Sequence, residues 1–254
     1  MSAPERAPLG AALALLVTLV SLTGSLSSTL LAGCIAGCAV MVALGWPELL
    51  ELPSRRGTSI VAALTGAGAA GIALTSVTRS GPLSGVLVVC ALGVLGSFAQ
   101  QMLRRDRRGL TESLTGTVAA VLLTGFGGCW VLAMRTALDA HAVGLIAAIA
   151  AGSAATLLLT AAPVPRIVAF ALAVIAGTAT TWAVAAYGFG VDPLLAGMLG
   201  LVVAVAAAGC HLLLSSLIVS DEPGPALAVA AAPVLTVGVI AQLAIPLARA
   251  FTTL

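Results

Sequence analysis

DPLLAGMLGLVVAVAAAGCHLLLSSLIV, from Asp192 to Val219, holds one carboxylate at its first position and one histidine, His211, and is otherwise built of apolar residues, glycine, serine and cysteine. At about 1.5 Å per residue, a helix over 193–219 is roughly 40 Å long, enough to cross a hydrocarbon core about 30 Å thick. Asp192 and Pro193 supply its start, an N-cap carboxylate followed by proline at the first helical position. The rest of the chain repeats this pattern. Of its 254 residues 60% are hydrophobic and 8% are charged, whereas a soluble domain is about a quarter charged. Too few charges remain to coat a water-facing surface, so the surface faces lipid.

Working outward from this span, breaks marked by charge, proline or glycine fall at 23–28, 47–57, 78–82, 104–112, 136–139, 163–166, 187–193 and 220–225. They predict an all-α, polytopic transmembrane bundle in a single integral membrane domain, 1–254. Its nine spans lie near 8–23, 28–46, 58–77, 82–102, 113–135, 140–162, 167–187, 193–219 and 225–248. The first two divide at Thr23-Gly24-Ser25 with Ser27-Ser28, because the run from Pro8 to Trp46 is too long for one helix. Leu9 to Val20 after Arg6 also reads as a signal-peptide core, although the SLTGSLSS that follows has no A-x-A cleavage pattern.

The chain has no lysine, and its eleven arginines are unevenly distributed. With nine spans, one side collects Arg6, Arg55, Arg56, Arg104, Arg105, Arg107, Arg108 and Arg166, and the other only Arg79, Arg135 and Arg249. Cytoplasmic loops retain positive charge, so the N-terminus is expected in the cytoplasm and the C-terminus outside. The loop holding Arg104, Arg105, Arg107 and Arg108 is the strongest of these anchors. The alternatives for it are a lipid-phosphate contact or a handle for a protein subunit, since arginine clusters bind phosphate well. Asp106, inside the cluster, partly offsets such a site. Thr111 and Glu112 are expected to cap and open the fifth helix. A net charge of +2 gives no basis for a nucleic-acid partner.

Two apparent motifs carry no chemistry. GAGAAG, Gly66 to Gly71, matches the dinucleotide fingerprint, but that motif works between a strand and a helix N-terminus, and here it lies inside the third span. Close helix packing is the better reading, as for Gly33 with Gly37 and Gly93 with Ser97. Cys34, Cys38, Cys90, Cys129 and Cys210 all fall within spans, with no histidine or carboxylate near Cys34 and Cys38 in sequence, so neither metal nor cofactor is expected. No arginine or acid lies near the centre of a span, which counts against a carboxylate-driven transporter and against an intramembrane enzyme with paired carboxylates or a metal.

Neutral polar groups remain at depth. His211 shares a helical face with Ala204, Ala207, Ala208 and Ser215 and should point into the bundle. Counted from the cytoplasmic span ends at about 1.5 Å per residue, His211 lies about 13 Å deep, Ser153 about 14 Å and Thr178 about 18 Å, with Thr181 on the face of Thr178. These four residues are the candidate substrate path, expected to meet near the midplane. The alternative is that each hydroxyl bonds a carbonyl one turn back and His211 bonds a neighbouring helix. Gln242 comes out near 25 Å, too far to bond His211. Pro233 and Pro246 should kink the ninth helix or free carbonyls there.

Trp46-Pro47-Glu48-Leu49, read as a turn after the second span, and SSLIVSDEPG, Ser215 to Gly224, resemble the membrane cytidylyltransferases that make CDP-diacylglycerol. Such enzymes carry lysine, arginine and aspartates for the metal and triphosphate. Here Val219 and Ser220 stand in the basic places, so the resemblance implies a catalytically empty relative and no catalytic residues. The functional expectation is a permease-like protein or transporter membrane subunit for a neutral or weakly polar solute. A non-catalytic membrane partner in envelope or lipid assembly is the alternative. Abundant Ala, Gly, Val and Arg without lysine suggests a GC-rich bacterial genome and hence the plasma membrane.

Overall fold

The computed structural model describes residues 9, 12–16, 19, 27–75, 83–104, 109–162, 164–218 and 223–252. Among them there is no strand. The helices are α1 (Ser27–Leu49), α2 (Arg55–Thr75), α3 (Ser84–Met102), α4 (Leu110–Phe126), α5 (Gly128–Asp139), α6 (Val143–Leu159), α7 (Arg166–Ala183), α8 (Pro193–Ser215) and α9 (Pro223–Thr252). A π-helical turn, Val184–Gly188, extends α7. Seven helices are long and apolar enough to cross a membrane, with α4 and α5 counted together over Leu110–Asp139. The sixth expected span appears as α6, a shorter apolar helix of 17 residues. Of the first expected span, 8–23, the described residues 9, 12–16 and 19 are helical. The remainder, with residues 23–26 of the proposed turn, lies outside the described residues, as do Arg79, Arg105, Asp106, Arg107, Arg108, Val219 and Ser220, whereas Ser27 and Ser28, expected in that turn, are the first residues of α1.

Local chemistry explains most of the helix ends. Asp192 accepts from the amides of Leu194 and Leu195, each at 3.0 Å, so α8 starts where the sequence places it. The fifth span begins differently from expectation. Its N-cap is Gly109 at φ 60°, not Thr111, which lies in the first turn with Glu112. A left-handed residue is needed to swing the chain into α4, and glycine adopts it without a Cβ penalty. Nor is Trp46–Leu49 a turn. It is the last turn of α1, with Pro47 inside the helix, and the chain reverses after it. The amides of Leu50 and Leu52 bond the carbonyls of Trp46 and Pro47, and Glu51 at φ 51° makes the bend.

The most enclosed helices are α9, the α4–α5 pair and α6, whereas α3 and α7 are largely exposed on the outside of the bundle. Helices approach closely where a side chain is missing. A Cβ on Gly128 would lie 2.8 Å from the Ala69 carbonyl oxygen of α2, and one on Gly238 would lie 2.7 Å from Cδ1 of Trp130. Gly66, within the apparent dinucleotide motif, sits against Ala39 of α1 and Thr124 of α4, so its role is helix packing. Gly93 likewise abuts Thr65 and Val121. The expectation fails for Gly33 and Gly37. Among the described residues nothing lies within 4 Å of a Cβ on either, because α1 turns its Leu31, Ile35 and Ala39 side to the core.

Consecutive spans alternate in direction, with α4 and α5 running on as one span. The last turn of α1 meets the first turn of α9 at Gly45 and Gly224, and Gly57 at the start of α2 meets Gln100 near the end of α3. At the other end of the bundle, Gly144 of α6 abuts Phe189, just after the π turn. Arg55, Arg56, Arg104 and Arg166 therefore share one end. Arg135, near the opposite end, donates to the Ala73 carbonyl in the last described turn of α2 at 2.8 Å.

The packing predicts opposite outcomes for two glycines. Gly128→Ala drives a methyl against backbone and should destabilise the protein by about 1–3 kcal/mol. Gly33→Ala should be neutral or stabilising by up to about 1 kcal/mol. Reversible denaturation of the purified variants in detergent measures both, and equal effects would contradict this packing.

Candidate functional site

At the arginine-rich end, a chain of hydroxyl groups ties three helices together. Ser54 precedes α2, and its carbonyl accepts the amide of Thr58. Ser113 and Thr117 lie one turn apart on α4, and Gln101 closes α3. Gln101 Nε2 donates to Ser113 Oγ at 2.6 Å, and Arg104 Nη1 donates to Ser113 Oγ at 3.3 Å and to Gln101 Oε1 at 3.0 Å. Amide and guanidinium nitrogens only donate, so the hydroxyl protons run one way. Ser113 Oγ donates to Ser54 Oγ. Ser54 Oγ lies 3.3 Å from Thr58 Oγ1, which lies 2.8 Å from Thr117 Oγ1. Thr117 Oγ1 ends the chain on the Ser113 carbonyl at 2.6 Å.

Every proton in that series has an acceptor, and the four hydroxyl residues and Gln101 are buried. A fully satisfied buried network fixes its members in one arrangement. Here it sets the ends of α2, α3 and α4 and pins the Arg104 guanidinium. Beside it opens a cleft of about 640 Å³ whose lining includes Glu51, Arg55, Arg56, Gln100 and Arg104. Sequence reasoning took Arg104 as an anchor and missed Ser54, Thr58, Gln101, Ser113 and Thr117. Their signal was the i, i+4 pairing of hydroxyls on two helices beside two charged breaks.

Deeper in the bundle, the four candidate path residues separate. Ser153 and Thr181 are buried and return their hydroxyl protons to carbonyls of their own helices, Ala150 at 2.7 Å and Gly177 at 2.9 Å. They flank a crossing of α6, α7 and α8 where Gly152, Gly177 and Gly200 have no room for a methyl group. A Cβ on Gly200 would lie 2.9 Å from the Thr178 carbonyl oxygen, which sets Thr178 level with Gly200. His211 is about 16 Å further along α8, at about 1.5 Å per residue. So the structure brings Ser153, Thr178 and Thr181 together and leaves His211 apart.

His211 does point into the bundle and is 5% exposed. Its ring lies beside the Val229 carbonyl of α9, a carbonyl to which Pro233 has no amide proton to offer. Among the described residues Nδ1 of His211 is buried without a partner. Pro246 frees the Gln242 carbonyl in the same way, and Gln242 Oε1 is also buried without a partner, as is Thr178 Oγ1. Val229 and Gln242 are about 20 Å apart along α9. Polar atoms therefore occupy two levels of the bundle, His211 nearer the arginine-rich end and Thr178 and Gln242 toward the other.

The cysteines are free thiols. Among the described residues no three histidines, cysteines or carboxylates gather as a metal site. No protein-family model, curated protein or solved structure matches the chain. The likeness of Trp46–Leu49 and Ser215–Gly224 to the cytidylyltransferases thus rests on those residues alone.

Removing the node of the hydroxyl chain should be costly. Ser113→Ala leaves Ser54, Gln101 and Arg104 short of a partner and should cost about 1–3 kcal/mol in the same denaturation measurement. Ser216→Ala, at an exposed helix end, should stay within about 0.5 kcal/mol. An equally small effect for Ser113→Ala would mean that the network does not hold this end together.

Proposed function

We propose that this protein is permease-like, alone or as the membrane subunit of a transporter, and moves a neutral or weakly polar solute across a bacterial plasma membrane. One observation carries the reading: Thr178 Oγ1, His211 Nδ1 and Gln242 Oε1 are buried in three membrane-spanning helices with no partner. A buried polar atom without a hydrogen bond costs about 1–3 kcal/mol, and more where lipid replaces water. Groups retained at that cost are matched to a partner that arrives from elsewhere. Gln242 Oε1 is an acceptor, and the Thr178 hydroxyl and the His211 imidazole nitrogen can each give or take a hydrogen bond, which suits a solute with hydrogen-bonding groups.

The absence of formal charge on all three at neutral pH favours an uncharged solute, since an ion at that depth needs a counter-charge. Their two levels suit a path with successive stations, where one central pocket would need all of them together. Both prolines of α9 serve the same end. Each leaves a backbone carbonyl without its helical donor, at Val229 beside His211 and at Gln242 itself.

The test is solute-driven swelling of proteoliposomes with glycerol, urea and erythritol, followed by light scattering. At least one solute should enter faster than into protein-free vesicles. His211→Ala and Thr178→Val should each slow that entry about tenfold, the loss of one hydrogen-bonding station. Rates unchanged by both substitutions would sink the permease reading.

A further inference from the structure

We infer that the cleft bounded by Arg55, Arg56 and Arg104 is a binding site for an anionic phosphate group, separate from the solute path and independent of the transport reading. The three guanidinium groups come from two elements, the start of α2 and the residues just after α3. Arg55 and Arg56 are exposed, and among the described residues neither side chain has a hydrogen-bond or ion-pair partner. Arg104 is held differently, by Gln101 and Ser113 through Nη1, which leaves its other donors free to face the cleft. Among the described residues Glu51 is the one carboxylate in the lining, against three arginines, so the described lining carries a surplus of positive charge.

The first turn of α2 strengthens the case. Its unpaired amides and the positive end of its dipole lie in the same cleft as two arginines. Guanidinium forks match phosphate oxygens in pairs, which a carboxylate fills less completely. The depth fits too, because α2 and α3 are membrane-spanning helices and their ends lie in the headgroup layer, where phosphates are the abundant anions. A rigid base is already built, since the hydroxyl chain fixes the ends of α2, α3 and α4 before any ligand arrives.

A lipid headgroup and a free phosphate present the same chemistry, so the experiment has two arms. In the first, the full chain in detergent is mixed with equal dioleoyl-phosphatidylglycerol and dioleoyl-phosphatidylcholine, and native mass spectrometry records the lipid retained. In the second, radiolabelled inorganic phosphate is titrated onto the protein in phosphatidylcholine nanodiscs. Arg56→Gln should reduce binding about tenfold in whichever arm shows it, as loss of one charge-assisted contact. Arg55→Gln should act in the same direction. Arg166→Gln removes one exposed charge elsewhere at that end and should change nothing.

Retained phosphatidylglycerol that depends on Arg55 and Arg56 identifies a lipid site, and phosphate binding with the same dependence identifies a soluble anion. Binding in neither arm overturns the inference. So does equal loss from Arg166→Gln, which would mean that general surface charge, not the cleft, holds the anion.

Discussion

Every backbone group that this chain carries into lipid must find its partner inside the protein, because the hydrocarbon core offers none. Helices meet that demand along their length, and the informative places are those where a helix fails to meet it. Pro233 removes the helical donor for the Val229 carbonyl, and the His211 ring of α8 lies beside it. Near the last described turn of α2, Arg135 of α5 reaches the Ala73 carbonyl. Trp130 and Trp46 add long-range bonds of the same kind, to the carbonyls of Val234 at 2.7 Å and Gly116 at 3.0 Å. Each is a tie between distant segments. Helices that would otherwise meet only through apolar contact are given a register.

Packing supplies the second constraint. Lipid tails are as apolar as leucine, so burial against lipid does not drive helices together, and close approach must supply the contact energy. The chain achieves it with glycine and alanine at crossings, as at Gly152, Gly177 and Gly200 or at Gly128 against Ala69. Side-chain hydroxyls at these crossings bond their own helix one turn back, as Thr156 does to Gly152 at 2.8 Å. That removes a donor from lipid without asking anything of a neighbour. Thr124 is the intermediate case, with its hydroxyl 2.9 Å from the Ala120 carbonyl and 3.0 Å from that of Ala62 on α2. One proton serves both the helix and the crossing.

The architecture was legible because hydropathy and length act residue by residue. The Asp192-Pro193 start, the helical state of Gly66–Gly71 and the inward face of His211 all follow from local sequence. What escaped depends on which neighbour lies opposite. Gly33 and Gly37 have the spacing of a packing motif, but nothing in the sequence of α1 states that its Leu31 and Ile35 side would face the core instead. Thr111 is a good cap by type, yet the turn needed a positive φ, which Gly109 provides. Depth counted from span ends placed Thr178 and His211 about 5 Å apart in height, whereas the Gly200 crossing sets about 16 Å. The count failed because α7 and α8 are offset along their axes, an offset that their packing sets and that their lengths do not record. The hydroxyl chain escaped for a related reason: Ser54 and Ser113 become partners only when α2 and α4 are placed side by side.

The polar groups divide the molecule into two parts with different mechanical character. In α2, α3 and α4 the buried hydroxyls form a closed series in which every proton is taken, and that region has a single low-energy arrangement. In α7, α8 and α9 the unpartnered atoms of Thr178, His211 and Gln242 leave hydrogen bonds to be gained by rearrangement. The π-helical turn at Val184–Gly188 and the two prolines of α9 lie in this second part, and both features loosen the regular helical ladder. The satisfied, arginine-bearing end and the less satisfied helices are separable in this respect, since the two regions share no hydrogen bond of the hydroxyl chain. Coupling between them would have to pass through packed side chains, through α1 and α9, where the last turn of α1 meets the first turn of α9 at Gly45 and Gly224.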